Sequence, residues 1–102
     1  GRGLAVGVVP VSGSLDLKAV AAALGVKKVT MAEPAAAERS TGYVVGGISP
    51  VGQRRALPTV IDDSARAYSS VFVSGGRRGF EIELAPEGLA QVTRARFAPI
   101  GR

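Results

Sequence analysis

An α+β domain with a mixed, mostly antiparallel sheet is what this sequence predicts, and three observations lead there. Short β-branched runs alternate with stretches of helical spacing, glycine or proline marks nearly every junction, and two adjacent strand-like runs meet at a glycine-rich turn. The chain has 102 residues, which predicts a single domain over 1–102. Hydrophobic residues make up 46% of it, enough for a packed core; with aromatics at 5% and no tryptophan, that core is built from Val, Leu, Ile and Ala.

The elements follow in order. Leu4–Val11 reads as a strand, ended by Pro10 and the Ser12-Gly13-Ser14 turn. Ser14 is placed to cap the next helix, with Asp16 in its first turn. Leu17, Val20, Ala21 and Leu24 then recur at the spacing of one helical face, and Gly25 stands where a terminating glycine belongs. Lys28–Met31 reads as a short strand. Pro34 at a first-turn position, then Ala35–Ser40 and Gly42, predicts a second helix. A loop region runs from Tyr43 to Leu57. Thr59–Asp62 is a short buried strand, and Asp63–Ala67 a helical turn. Ser70–Ser74 and Phe80–Leu84 form a hairpin across Gly75-Gly76-Arg77-Arg78-Gly79. In its second strand Phe80, Ile82 and Leu84 alternate with Glu81 and Glu83, which predicts one core face and one wet face. Pro86–Thr93 is the last helix, with Pro86 and Glu87 in its first turn.

Composition excludes much chemistry. There is no His and no Cys, so Ser-His-Asp triads, Cys-His dyads, zinc clusters and thiolate redox sites cannot be built from this chain. No metal or cofactor is expected. The lack of cysteine also fits a cytoplasmic protein. Its apolar runs are far shorter than the ~18–20 residues a bilayer crossing needs, and nothing at the start reads as a signal peptide. The chain opens on Gly1 and enters a strand-like run within five residues, which reads as a cropped or processed piece. Thirteen Lys and Arg against eight Asp and Glu give a net charge of +5, which favours a polyanionic partner.

Several segments have both a chemical and a plain structural reading. Gly46-Gly47-Ile48-Ser49-Pro50 is a rigid loop whose backbone N–H groups can form a nest for a carbonyl oxygen, carboxylate or phosphate; taken by itself, a tight connection between Val45 and the following strand is the commoner reading. Ser74-Gly75-Gly76 is a second loop of the same kind, with the hairpin as its plain reading. Arg54-Arg55 and Arg77-Arg78 follow these loops and suit phosphate through the guanidinium fork, or stand as solvated turns. Lys27-Lys28 reads as solvent-facing. Glu81 and Glu83 share a wet β face, and Asp62-Asp63 reads as a strand end and helix cap.

The run Thr41-Gly42-Tyr43-Val44-Val45-Gly46-Gly47-Ile48-Ser49-Pro50-Val51-Gly52-Gln53-Arg54-Arg55 resembles the signature of the YbaK family of aminoacyl-tRNA deacylases, with that family's GxxxP loop at Gly46 to Pro50. The segments Pro58–Asp62, Val73–Gly79 and Glu81–Pro86 and the helix Asp16–Gly25 follow the family pattern in order, so the resemblance spans nearly the whole chain. It implies a sheet curled toward a barrel and flanked by short helices. It also implies deacylation of mischarged tRNA, most specifically Cys-tRNA(Pro), with prolyl-tRNA synthetase as a further partner. The GxxxP loop then contacts the aminoacyl group, Ser74–Gly76 lines the same pocket, and Arg54, Arg55, Arg77 and Arg78 meet tRNA phosphates. In the YbaK branch the substrate's own thiol attacks the ester carbonyl, which agrees with a chain lacking His and Cys. The family's important lysine lies before Leu4, so the resemblance implies a missing N-terminal part, low activity for these 102 residues alone, and an open sheet edge that invites a homodimer or strand exchange. Two other functions stay open: a non-catalytic module that binds aminoacyl-tRNA or a synthetase, and a general nucleic-acid binder that uses the arginine pairs.

Overall fold

The computed structural model describes residues 4–43, 47–53, 57–77 and 79–102. Its organising element is the strand β2, Thr59–Asp62, all four residues of which are buried. A run buried on both faces is what a parallel strand under two covering layers requires. β1 (Val6–Val8) and β5 (Arg96–Ala98) flank β2, and both pairings are parallel, with Val8 opposite Ile61 and Ile61 opposite Phe97. β3 (Val71–Arg77) and β4 (Phe80–Leu84) form a separate antiparallel pair. The predicted mostly antiparallel sheet, curled toward a barrel, is therefore corrected to a three-stranded parallel sheet and a two-stranded hairpin. Neither closes among the described residues. The hairpin was the pairing visible in local sequence, whereas parallel partners are brought together by long crossovers that leave no local mark.

The alternation of β2 sorts the core into two layers. Val60 faces the helix α1 (Leu17–Leu24) and packs with Val20 and Ile100, joined by Leu15, Ala19 and Leu24. Ile61 faces the other way and packs with Val73 of the hairpin and Leu89 of α3 (Pro86–Thr93), joined by Val8, Leu84 and Phe97. Ile61, Leu89 and Ile100 are at most 1% exposed. The helix α2 (Pro34–Thr41) lies at the periphery and buries only Thr41.

Helix limits follow the predicted signals with one change. Asp16, not Ser14, caps α1: its carboxylate accepts from the N–H groups of Lys18 at 3.1 Å and Ala19 at 3.2 Å. The Ser14 backbone pairs with the chain end instead, accepting from Arg102 N at 2.8 Å, while Asp16 N donates to Ile100 O at 2.7 Å. Gly25 and Gly42 close α1 and α2 in left-handed geometry, and Pro86 opens α3. The first strand is shorter than Leu4–Val11, and Lys28–Met31 forms no strand. The sequence reading missed β5, since three residues before a proline carry too short a pattern.

Asp62 ends β2 and ties the molecule together. Its side chain is 8% exposed and accepts from Gly101 N at 2.8 Å, Ile100 N at 3.0 Å and Ser64 N at 3.2 Å, and from the Ser64 hydroxyl. Burial pushes its carboxyl pKa up, but the Ser64 hydroxyl and the three N–H donors outweigh burial and hold it below the ordinary carboxylate value. The predicted strand end and helix cap is thus also a clamp on the C-terminal segment.

Candidate functional site

A cavity of about 480 Å³ opens between three walls: β1, the 48–53 loop and the hairpin. Its volume falls in the range of small-ligand sites. Val6, Gly7, Val8 and Val9 form the first wall; Ile48, Pro50 and Gln53 the second; Phe72, Ser74, Arg77, Phe80 and Glu81 the third. A smaller apolar cavity of about 120 Å³ lies behind it and shares Val8, Val9, Phe72 and Val73. The larger one holds the glycine-loop residues and is the candidate site.

The loop wall is fixed by polar contacts as well as by burial. Ser49 is 1% exposed, and its hydroxyl accepts from Val51 N at 3.1 Å, closing a tight turn. Its carbonyl accepts from Gln53 Nε2 at 2.9 Å. A hydroxyl so enclosed shapes the loop and does not face the cavity. Gly47 is buried, whereas Ile48 and Pro50 line the cavity.

The hairpin wall differs from the predicted one. Gly75 and Gly76 do not form the turn. They sit inside β3 as a bulge: β3 runs from Ser74 to Arg77 while β4 moves only from Glu81 to Phe80. Ser74 Oγ accepts from Gly76 N at 3.3 Å within this bulge. The expected core face of β4 is also corrected. Phe80 is 54% and Ile82 36% exposed, and only Leu84 packs against the core, because the hairpin meets the sheet at its base and projects beyond it.

Tyr43 joins the two walls. Its hydroxyl donates to Val51 O at 2.7 Å, with Gly52 O at 3.3 Å. Its ring lies under the bulge: a methyl group at Gly76 would sit 2.9 Å from Tyr43 Cε1, at a backbone φ of +109° that already favours glycine. Thr41 directs the chain into this position, since its hydroxyl accepts from Tyr43 N at 3.2 Å. Sequence reasoning passed over Tyr43 as a site residue; an aromatic just after a helix-ending glycine was the available signal.

The predicted site residues thus divide. Ile48, Pro50, Ser74 and Arg77 converge on one cavity, with Gly47, Ser49, Gly75 and Gly76 shaping its walls. Gly46, Arg54, Arg55 and Arg78 lie outside the described residues. Phe72, Phe80, Gln53 and Glu81 also line the cavity, although the sequence reading placed none of them there. Glu81 and Glu83 are separated in role: Glu83 accepts from Ser70 Oγ at 2.6 Å, while Glu81 faces the cavity. Among the described residues no group of three or more acids could hold a metal ion, and no helix is long and apolar enough to cross a membrane.

The chain is 45% identical over 98 residues to a protein of Enterococcus faecalis named "Putative Cys-tRNA(Pro)/Cys-tRNA(Cys) deacylase EbsC", covering 96% of this chain and 60% of that relative. It superposes with a TM-score of 0.86 and 27% identity on a protein described as "a putative trans-editing enzyme for prolyl tRNA synthetase", and with 0.84 and 28% on hypothetical protein APE2540. These cover 94% of this chain and 60% and 63% of the respective structures. The chain therefore spans about three-fifths of the length of these relatives. Residues 1–92 match the family of aminoacyl-tRNA editing domains, and the chain belongs to that family.

Proposed function

We propose that this chain, read as one editing domain over 1–102, removes wrongly attached amino acids from tRNA, with Cys-tRNA(Pro) as the substrate. The observation that carries the reading is the convergence of the 47–50 loop and the Ser74–Gly76 bulge on one cavity, bridged by Tyr43. The 45% identity to a protein named for Cys-tRNA(Pro) and Cys-tRNA(Cys) supports the choice of substrate.

No His or Cys exists to attack an ester, so the chain's part is positioning. The aminoacyl-adenosine end enters the cavity. Ile48 and Pro50 hold the aminoacyl group, and backbone N–H groups of the loop before Pro50 stabilise the oxyanion. The substrate thiol forms a C–S bond to the ester carbon, the C–O bond to the ribose breaks, and the ribose oxygen takes the thiol proton. Arg54, Arg55, Arg77 and Arg78 meet tRNA phosphates. Prolyl-tRNA synthetase is the implied protein partner, and the cytoplasm the implied location. A homodimer paired along the β1 edge is the assembly to look for by sedimentation.

The test is deacylation of cysteine-labelled tRNA(Pro) against proline-labelled tRNA(Pro). Cysteine is expected to be released in preference to proline, and only weakly by these 102 residues alone. Selective binding of Cys-tRNA(Pro) with the ester intact would replace the enzyme by a recruiting module.

A further inference from the structure

The hairpin tip carries an aromatic ring that the core does not use. Phe80 is 54% exposed and stands on the cavity rim beside Gly79. Two contacts hold it. A methyl group at Gly75 would lie 2.5 Å from Phe80 Cδ2, so the missing side chain lets the ring settle against the β3 backbone. The guanidinium carbon of Arg77, its cross-strand partner, lies 5.5 Å from the ring centroid, within cation–π range. The result is an apolar ring, capped by a cation and fixed in place at the mouth of a cavity.

We propose that Phe80 and Arg77 form a subsite for an unpaired nucleotide, the one preceding the terminal aminoacyl-adenosine of a charged tRNA. The proposal rests on the editing function above and extends it by one nucleotide. A cavity of about 480 Å³ has the size of a site for one small ligand, so a strand that enters by its end leaves its next nucleotide on the rim. Both the phenyl ring and the guanidinium plane stack on a base, and the remaining Arg77 N–H donors suit its phosphate. The +5 charge of the chain favours this polyanion over an apolar peptide. Glu81, also on the cavity wall, sets the direction. Its carboxylate repels phosphate, so the backbone passes on the Arg77 side of Phe80.

The test measures binding of single-stranded 5′-ACCA RNA to the whole chain by fluorescence anisotropy, with both cytosines present or both replaced by abasic residues. Native protein is compared with Phe80→Leu, which keeps an apolar side chain at a half-exposed position; circular dichroism melting checks the fold. In native protein, removal of the bases is expected to weaken binding about 5- to 100-fold. In Phe80→Leu the same removal is expected to matter less than about twofold. Arg77→Gln is expected to weaken both RNAs and lower the salt slope by about one. An equal loss on base removal in both proteins overturns the proposal, as does failure of the native chain to bind ACCA; an unchanged salt slope in Arg77→Gln overturns the role of the arginine. None of these readouts uses turnover. A chain that binds in the expected pattern yet leaves Cys-tRNA(Pro) intact keeps the subsite and sinks the editing reaction; deacylation without base dependence does the reverse.

Discussion

Around β2, burial fixes position; around the cavity, a few directed contacts do. Val60, Ile61, Leu89 and Ile100 are essentially inaccessible and hold the parallel sheet between α1 on one side and the hairpin base and α3 on the other. The loop and hairpin walls of the cavity are braced by Tyr43, Ser49, Gln53 and the Gly75–Gly76 bulge, through a few hydrogen bonds and close contacts. The contrast teaches that the frame supplies one wall, β1, while the loop and hairpin walls take their shape from local contacts. Substitutions in the frame should act on stability first, and substitutions in the walls on substrate handling first.

The largest effect is expected in the frame. Leu89→Ala removes a side chain that is 0% exposed and should lower unfolding stability by about 2–5 kcal/mol in urea titrations. A loss under about 1 kcal/mol would mean that the second core layer is not what holds the hairpin base to the sheet.

Next comes the clamp at the end of β2. Asp62→Asn weakens hydrogen bonds to a charged acceptor and should cost about 1.5–3 kcal/mol at neutral pH. Its pH dependence has a definite sign. The folded-state pKa lies below the unfolded one, so the contribution is complete above about pH 4 and is lost as pH falls through the lowered folded value. Thermal melts from neutral to strongly acidic pH should therefore fall more steeply for the native chain than for Asp62→Asn. Parallel curves would show that the clamp is not electrostatic.

The smallest stability change is expected in the cavity wall. Tyr43→Phe keeps the ring under Gly76 and removes only the hydroxyl's contacts with Val51 O and Gly52 O, for about 0.5–1.5 kcal/mol. Deacylation of Cys-tRNA(Pro) measured well below the melting temperature should nevertheless fall, with kcat affected more than KM, because the two walls lose their register. Unchanged kcat would place the 48–53 loop and the bulge in independent roles.

Much of the local structure was legible. The helices α1, α2 and α3 follow apolar spacing and Gly25, Gly42 and Pro86; β2 follows its β-branched Thr59-Val60-Ile61. What was not legible is pairing. Nothing near Arg96–Ala98 says that it joins β2 in parallel, and nothing near Ser14 says that its backbone pairs with Arg102 and so hands the cap to Asp16. Alternation in β4 predicted burial that Phe80 and Ile82 do not have, since period two reports the sides of a strand and not what covers them. Of the cavity lining, Ile48, Pro50 and Ser74 stand in the glycine-loop motifs and Arg77 in an arginine pair. Tyr43 and Phe80 were not legible, because each acts through a glycine distant in sequence or across a bulge.

By itself the sequence determined which chemistry is closed to these 102 residues, where the helices lie and which glycines end them, since each depends on residue type and its near neighbours. Only the tertiary structure decided that the sheet is parallel, that Asp62 clamps the chain end, and that Tyr43 brings the loop and the bulge to one cavity. Those outcomes depend on contacts between residues far apart along the chain, for which local pattern has no term.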